Sequence, residues 1–490
     1  MFQIYRTSLI FCVDNLFCYL LLALIFGELL SRINFIMDVE ILSRIQFAFT
    51  IAFHYIYPPL SIGLGVALVA FEGMYLYTKD KIYEQLTKFW IKIFALIFGI
   101  GVATGIVMEF EFGTNWAAYS RYVGDIFGSA LAAEGVFAFA LESSFLGVLL
   151  FGWNRVSPAV HFLSTVMVTL GSMFSAIWIV VANSWQQTPA GYIIVGEGIE
   201  ARAEVTDFWA MVFNPSSLDR ITHVWIGAFL AGTFLVLSVH AWYILKNRFI
   251  EHSHKAFKIV LVIAAISAVA QLLAGHRSAE GVSKNQPAKL AAFEGHFDSS
   301  AVADMYLFGW VDQKSEQVTG LKIPYGLSFL LHQDLNAPVT GLNAFAKDNR
   351  PSQVNFVFQT YHLMVAIGMM LIALTLFAVF LMWRGQLFNK RWLMLIFSYS
   401  VLLPQVANQV GWYSAEVGRQ PWVVYGLLRT SDALSENVRA EQVWFSLILF
   451  TLVYSLLFVL FIYLMNKKIL HGLDVDEPAD THSKRNRTFN

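Results

Sequence analysis

The feature that most limits this chain is a series of apolar runs long enough to cross a bilayer. A helix needs about 20 predominantly apolar residues to span the hydrocarbon core. Inside lipid the backbone must satisfy its own hydrogen bonds, so only helices or closed barrels are viable. Runs near 49–77, 90–113, 126–151, 160–184, 221–245, 257–275, 356–383, 391–412 and 443–465 meet that length, and no strand pattern competes. The expected fold is an all-α polytopic membrane bundle of about nine transmembrane helices. Charged residues make up only 14% of the chain, against roughly a quarter in soluble domains. A net charge of -1 offers no electrostatic footprint for nucleic acid, and membrane lipid is the expected surround.

Charge divides the loops into two sets. Lys79, Lys81, Lys88, Arg155, Lys246, Arg248, Lys255, Arg384, Lys390, Arg391, Lys467 and Lys468 fall on one side, while Arg121, Arg202, Arg220 and Arg419 fall on the other. The positive-inside rule makes the Lys-rich side cytoplasmic. Residues 37–275 then hold helices 1–6, 276–355 form a long extracytoplasmic loop, 356–470 hold helices 7–9, and 471–490 are a polar cytoplasmic tail. Residues 1–36 carry a further apolar run, interrupted by Asp14, Asn15 and Glu28. It reads as a tenth helix, an uncleaved signal-like segment or a start assigned too early; a start at Met37 is the favoured reading.

Candidate chemistry comes from ionisable and soft side chains inside these runs, where charge is costly and is a functional hypothesis by default. The only cysteines are Cys12 and Cys18, so a thiolate site or a disulfide framework is excluded. Any metal would be held by His, Met and carboxylate, which points towards haem. His54 in an apolar wall reads either as a core histidine bonded to a carbonyl or as a ligand. His223 and Met364 begin two further helices, where a Met is more often core filler. Glu134 and Glu142 lie eight positions apart, about 80° around a helix, and can border one cavity. They suit a proton relay.

Residues 411–422 read GWYSAEVGRQPW, closing the run from Trp392 with Glu416 and Arg419. Taken alone, this reads equally as helix-end snorkelling flanked by tryptophan anchors or as a functional charge pair near lipid. As a string it resembles the GW…E.GRQPW signature of cytochrome bd-type quinol oxidases, subunit I. Residues 37–44, the RIQF at 44–47, Pro58-Pro59-Leu60, the stretch 104–116 and QPAKLAAFE at 286–294 resemble other parts of that family, so the likeness runs from about Met37 to Leu470.

The resemblance implies a ligand set. His54 and Glu416 would hold two high-spin haems, one a haem b and the other a haem d or a second b-type haem. His223 and Met364 would hold a low-spin haem b. Arg419 would meet a propionate or Glu416, and Trp412 would lie near the haem edges. Glu134 and Glu142 would conduct protons, and Glu109 would act near the haems. Lys289 and Glu294 would bind quinol. The implied activity is that of a terminal respiratory oxidase in the bacterial cytoplasmic (inner) membrane. It would oxidise ubiquinol or menaquinol on the extracytoplasmic side and reduce O2 to water. Cytoplasmic protons would be consumed, giving a gradient without pumping. The implied partners are subunit II and, as an option, a small single-helix subunit. Two departures stand out: the loop is of the short type, often described as cyanide-insensitive, and position 362 is His where better-known members carry Arg. A proton-coupled transporter using Glu134 and Glu142 is the rival of another class, but it leaves His54, His223 and Met364 unexplained. A haem–copper oxidase would need clustered histidines on a helix.

Overall fold

The computed structural model describes residues 38–300 and 302–474; the expectations for residues 1–36 and for the tail beyond 474 lie outside the described residues. Among them, nine helical spans are long and apolar enough to cross a membrane. The first span is double: α1 (Val39–His54) breaks and resumes as α2 (Tyr57–Thr78). Then come α3 (Lys81–Thr114), α4 (Gly124–Phe151), α5 (Pro158–Gln187), α6 (Ser217–Leu245) and α7 (Ile250–Asn285). After a short α8 (Pro287–Glu294) come α9 (Val354–Trp383), a second double span α10 (Arg391–Tyr399) and α11 (Leu402–Val417), and α12 (Ala440–His471). Lipid is the solvent these helices select for. Phe445 and Leu456 on α12 are each 71% exposed, which a soluble bundle would avoid.

Three spans depart from regular α-helix. Pro58 lacks an N–H and its ring opposes the carbonyl of His54, which breaks the helix after α1. Pro404 does the same to Ser400 between α10 and α11. Within α4, residues Glu134–Phe139 form a π-turn, a feature that recurs at functional sites.

Several helices outlast their apolar runs, α3 beginning at Lys81 and not 90 among them, and two such boundaries bear on the site. The first span begins near residue 39 and not 49, because a polar, capped turn (Asp38 accepts from the Glu40 N–H at 3.2 Å) extends it below the apolar run. The span expected to end at 275 continues to Asn285. Its last turns are polar but still helical, held by a His276–Glu280 pair at 3.4 Å and by Arg277 with Asp219 at 3.5 Å. The long segment between α7 and α9 therefore starts at Gln286. It is folded: it contains α8 and an antiparallel hairpin of β3 (Met305–Asp312) and β4 (Gln317–Ile323). Two smaller hairpins, β1 (Tyr192–Val195) with β2 (Arg202–Val205) and β5 (Trp422–Val424) with β6 (Leu428–Arg429), cap the same end. Periodicity of two over so few residues is too short to compete with the helical runs, so the sequence reading held no strands.

The tightest helix crossing joins α2 to α6. A Cβ on Gly63 would fall 2.1 Å from the Ala228 carbonyl oxygen, and one on Gly232 would fall 2.2 Å from the Leu64 nitrogen. Both obstacles are backbone, so only glycine allows this approach, the small-residue packing expected between membrane helices. Gly232→Ala should therefore cost about 1–3 kcal/mol by overpacking, read as a lower thermal midpoint of the purified protein. Gly99→Ala, which meets nothing within 4 Å, should leave the midpoint unchanged or slightly higher.

Candidate functional site

Two of the candidate ligands, His54 and Glu416, lie at helix ends, and His223 and Met364 sit within regular helices. His54 is the last residue of α1, at the break inside a 40-residue span, and not at a helix entry. Its Nδ1 is 3.0 Å from Thr104 Oγ1. That hydroxyl donates its only hydrogen to the carbonyl of Ile100 or Gly101, so it accepts from His54. Nδ1 then carries the proton, and Nε2 keeps a lone pair, the tautomer a metal ligand needs. Gly105 faces the ring; a Cβ there would come within 3.2 Å of His54 Cε1.

His223 sits two turns into α6, with Nε2 3.1 Å from the Gln271 side-chain amide of α7. Around it is a set of buried polar atoms with no partner: His223 Nδ1, Gln271 Oε1 and Asn408 Nδ2. Unpaired buried polar atoms are costly, so this cluster is built for a group that would meet them. Met364 on α9 packs against α11 at Gly411, where a Cβ would lie 2.5 Å from its sulfur. A bulkier residue at 411 would displace the thioether.

Glu416, at the end of α11, is the centre of the most charged cluster. Arg419 Nη2 pairs with it at 2.6 Å. Asn183 Nδ2 and Gln187 Nε2 of α5 donate to Oε1 at 3.1 and 3.2 Å. Arg419 also donates to Gln186 Oε1 at 3.2 Å and to the Trp422 carbonyl at 3.1 Å. Arg220, one turn before His223, donates to Asn183 Oδ1, and its Nε has no partner. Lys289 of α8 donates to Gln187 Oε1 at 2.6 Å and Gln286 Oε1 at 2.7 Å. Burial and the neighbouring Arg220 guanidinium hold its ammonium well below the usual lysine range. Trp412 lies one turn before Glu416, half-buried beside Tyr413 with ring centroids 5.3 Å apart.

Lys289 and Glu294 were read together from the loop, yet they face different neighbours. Both are buried, contrary to a solvated loop pair. Lys289 looks into the Glu416 cluster. Glu294 is hydrogen-bonded to Tyr361 of α9, its Oε2 has no partner, and burial pushes its carboxyl up to about 7. The neighbouring Phe293 and Tyr361 rings stack at 4.6 Å. His362 has both nitrogens taken by backbone: Nδ1 is 2.9 Å from the Phe358 carbonyl and Nε2 is 2.8 Å from that of Tyr306 on β3. It ties α9 to the hairpin.

The relay glutamates both turn to α5. Glu142 accepts from Ser172, and Glu134 accepts from Ser175. These serines are three residues apart, about 4.5 Å along the helix, so the carboxylates converge. The π-turn that begins at Glu134 changes the rotation between them from the regular-helix value, and the facing serines, not the 80° figure, bring them together. The Glu109 side chain lies outside the described residues. Its neighbour Glu111 is buried and accepts from Thr50 Oγ1 at 2.6 Å.

Sequence reading had missed Arg220, Asn183, Gln187, Thr104 and Tyr361. Arg220 had a signal, being three residues from His223 on the extracytoplasmic side. The amides had none, because their role comes from α5 lying against α11 and α8.

Comparison with known proteins agrees over nearly the whole chain. The family profile described as cytochrome bd terminal oxidase subunit I matches residues 42–473. Cytochrome bd ubiquinol oxidase subunit 1 of Bacillus subtilis is 36% identical over 454 residues, covering 91% of this chain and 96% of that protein. Cytochrome bd-II ubiquinol oxidase subunit 1 of Escherichia coli is 34% identical, covering 88% and 96%. The solved structure of the bd oxidase from Geobacillus thermodenitrificans superposes with a TM-score of 0.82 at 29% identity, over 89% of this chain and 99% of that one.

Removing the guanidinium from the Glu416 pair tests the cluster directly. Arg419→Met leaves a buried carboxylate with two amide donors and should cost about 3–5 kcal/mol. Arg419→Lys keeps the charge, though not the fork that also holds Gln186, and should cost less. Thermal denaturation of the purified variants measures both, and equal midpoints for Met and wild type would remove Arg419 from its place as the stabilising partner.

Proposed function

The chain belongs to the cytochrome bd terminal oxidase subunit I family, and on that premise we propose that it is the haem-bearing subunit of a quinol:oxygen oxidoreductase. Two quinols are oxidised on the extracytoplasmic side for each O2 reduced to two waters. The protons consumed come from the cytoplasm past Glu142 and Glu134, so charge separates without pumping. The reading places the chain in a bacterial cytoplasmic membrane, beside subunit II and, as an option, a small single-helix subunit.

The observation that carries the reading is the buried excess of positive charge at the extracytoplasmic end. Arg220, Arg419 and Lys289 surround a single carboxylate, Glu416, and Arg220 Nε has no partner. Guanidinium stays protonated in proteins, and a buried cation without a counter-charge is strongly destabilising. The cluster calls for further anions, and haem propionates fit it. The donor chemistry also fits: a His54 Nε2 lone pair, the His223 imidazole with its unpartnered Nδ1, the Met364 thioether and the Glu416 carboxylate are ligands haem iron accepts. We assign a low-spin haem b to His223 and Met364. A high-spin haem b, and a haem d or second high-spin b-type haem, go to His54 and Glu416. Bound there, the haems supply the iron that carries electrons and binds oxygen.

The chain's own residues supply the rest. Glu294, unpartnered at Oε2 and beside the stacked Phe293–Tyr361 pair, accepts a proton from quinol. Lys289 orients the quinol oxygen from the opposite end of α8. Gln187 holds Lys289 and Glu416 on one amide. Trp412 excludes water near Glu416. Glu142 and Glu134 move protons from the cytoplasmic half towards the ligands, with Ser172 and Ser175 holding their orientation.

Two measurements test this reading. The purified complex should contain protein-bound haem by pyridine haemochromogen analysis and consume oxygen with quinol. In Met364→Leu, which keeps volume but deletes the soft ligand, the sharp reduced band of the low-spin haem should disappear; an unaltered reduced spectrum would sink the Met364 assignment. The second is a pH profile. A carboxyl titrating near 7 is an active base only when ionised. Quinol oxidation should therefore climb about tenfold per pH unit below 7 and level off above it. Glu294→Gln should lose that rising limb along with most of the rate.

A further inference from the structure

A second buried acid lies on the cytoplasmic side of Glu142, and the reading above does not use it. Glu72 of α2 and His161 of α5 are each 2% exposed at the side chain, with Oε1 and Nδ1 2.6 Å apart. His161 Nε2 is 3.2 Å from the Leu149 carbonyl oxygen. A carbonyl can only accept, so Nε2 carries a hydrogen. The short contact on the other side then holds a single proton, shared between a neutral acid–imidazole pair and a carboxylate–imidazolium pair. The Thr165 hydroxyl donates to the second oxygen of Glu72.

The pair has a direction. Glu72 precedes Lys79 by two turns and His161 follows Arg155, so both lie just inside the Lys- and Arg-bearing end. On the loop side the edge of Trp153 meets the His161 ring at 4.4 Å. The Trp153 indole donates to Glu84 at 3.1 Å, and Glu84 pairs with Lys88 at the surface. On the membrane side, polar side chains continue from His161 along α5 at Thr165, Thr169, Ser172 and Ser175. Steps of four, four, three and three residues stay within one face of a helix. The stripe ends on the two relay acids, since Ser172 donates to Glu142 and Ser175 to Glu134. Hydroxyls one turn apart on a helix are about 5–6 Å from each other, a gap that one water bridges. Glycines bring the neighbouring helices onto this stripe: a Cβ on Gly65 would lie 2.8 Å from Thr169 Oγ1, and one on Gly171 would lie 2.8 Å from Glu142 Cβ.

We propose that Glu72 and His161 form the cytoplasmic loading site of the proton route. The pair holds one proton out of water and passes it along the Thr165–Thr169–Ser172 face to Glu142. It is reloaded from the cytoplasmic loop past Trp153. Only protons move, so no oxidant or reductant is involved. The inference rests on the reading of Glu142 and Glu134 as proton carriers.

The test uses the full haem-loaded complex with Glu142→Gln as reference and Glu72→Gln, Glu72→Asp, His161→Gln and Thr165→Val as probes. Haem content, quinol-driven oxygen consumption and its ratio in H2O over D2O are measured for each. Glu72→Gln and His161→Gln should keep wild-type haem content, turn over about tenfold more slowly, and show a raised isotope ratio, as expected of a lost proton carrier. Glu72→Asp should recover most of the rate. If Glu142→Gln itself runs at the wild-type rate, the underlying reading fails. If Glu142→Gln is slow while Glu72→Gln and His161→Gln are not, the loading site alone is wrong. Slow turnover with an unchanged isotope ratio, or no recovery in Glu72→Asp, marks a packing role and also overturns it. Should the Glu72 and His161 variants fail to assemble, Thr165→Val decides: a slower rate with a raised isotope ratio supports the site, and wild-type values in both refute it.

Discussion

Every break in a helix and every buried charge in this molecule must be satisfied by protein, because lipid offers no hydrogen bonds. That constraint explains where the unusual residues are. The bundle is regular except at the α1–α2 break, the α10–α11 break and the π-turn in α4. His54 ends the first interrupted helix, Glu416 ends the second interrupted span, and Glu134 opens the π-turn. Proline accounts for the two breaks through lost donors and steric clash. Irregular backbone at membrane depth is tolerated where it is buried in protein or lines an interior cavity.

The Glu416 cluster shows how one amide organises several charges. Gln187 accepts from Lys289 with its oxygen and donates to Glu416 with its nitrogen. The loop that would receive quinol and the carboxylate that would bind iron thus share one rigid side chain of α5. Asn183 plays a similar part between Arg220 and Glu416. With the two guanidiniums of Arg220 and Arg419 around one carboxylate, the site is electrostatically incomplete in the polypeptide alone.

The span count was legible because length and composition alone decide whether a helix can cross lipid. The 411–422 string was legible as a resemblance, and spacing by itself left Glu416 and Arg419 as helix-end residues. Boundaries failed where helices outlast their apolar runs, as α7 does for ten residues beyond 275 through pairs such as His276 with Glu280. Lys289 was visible, but its burial was not, since that depends on α5 and α11 covering α8. Neutral amides such as Gln187 left no trace, because an amide draws its role from the groups it spans. The setting of His362 was likewise invisible in the sequence, because its two carbonyl contacts lie on α9 and on β3, the latter 56 positions away.

The two ends of the bundle differ in how they hold charge, and the difference follows from what each must exchange. The Glu416 cluster is fixed by amides and is cationic through Arg220 and Arg419, guanidiniums that keep their protons and so can hold anionic groups. The other end holds carboxylates that face hydroxyls and an imidazole: Glu134 with Ser175, Glu142 with Ser172, and Glu72 with Thr165 and His161. Hydroxyls can donate to a carboxylate or accept from a carboxylic acid, so either protonation state finds a partner without rearrangement. Amides and guanidiniums offer no such symmetry to the proton. A fold with permanent cations at one end and reversible partners at the other can bind anions firmly on one side while letting protons through on the other.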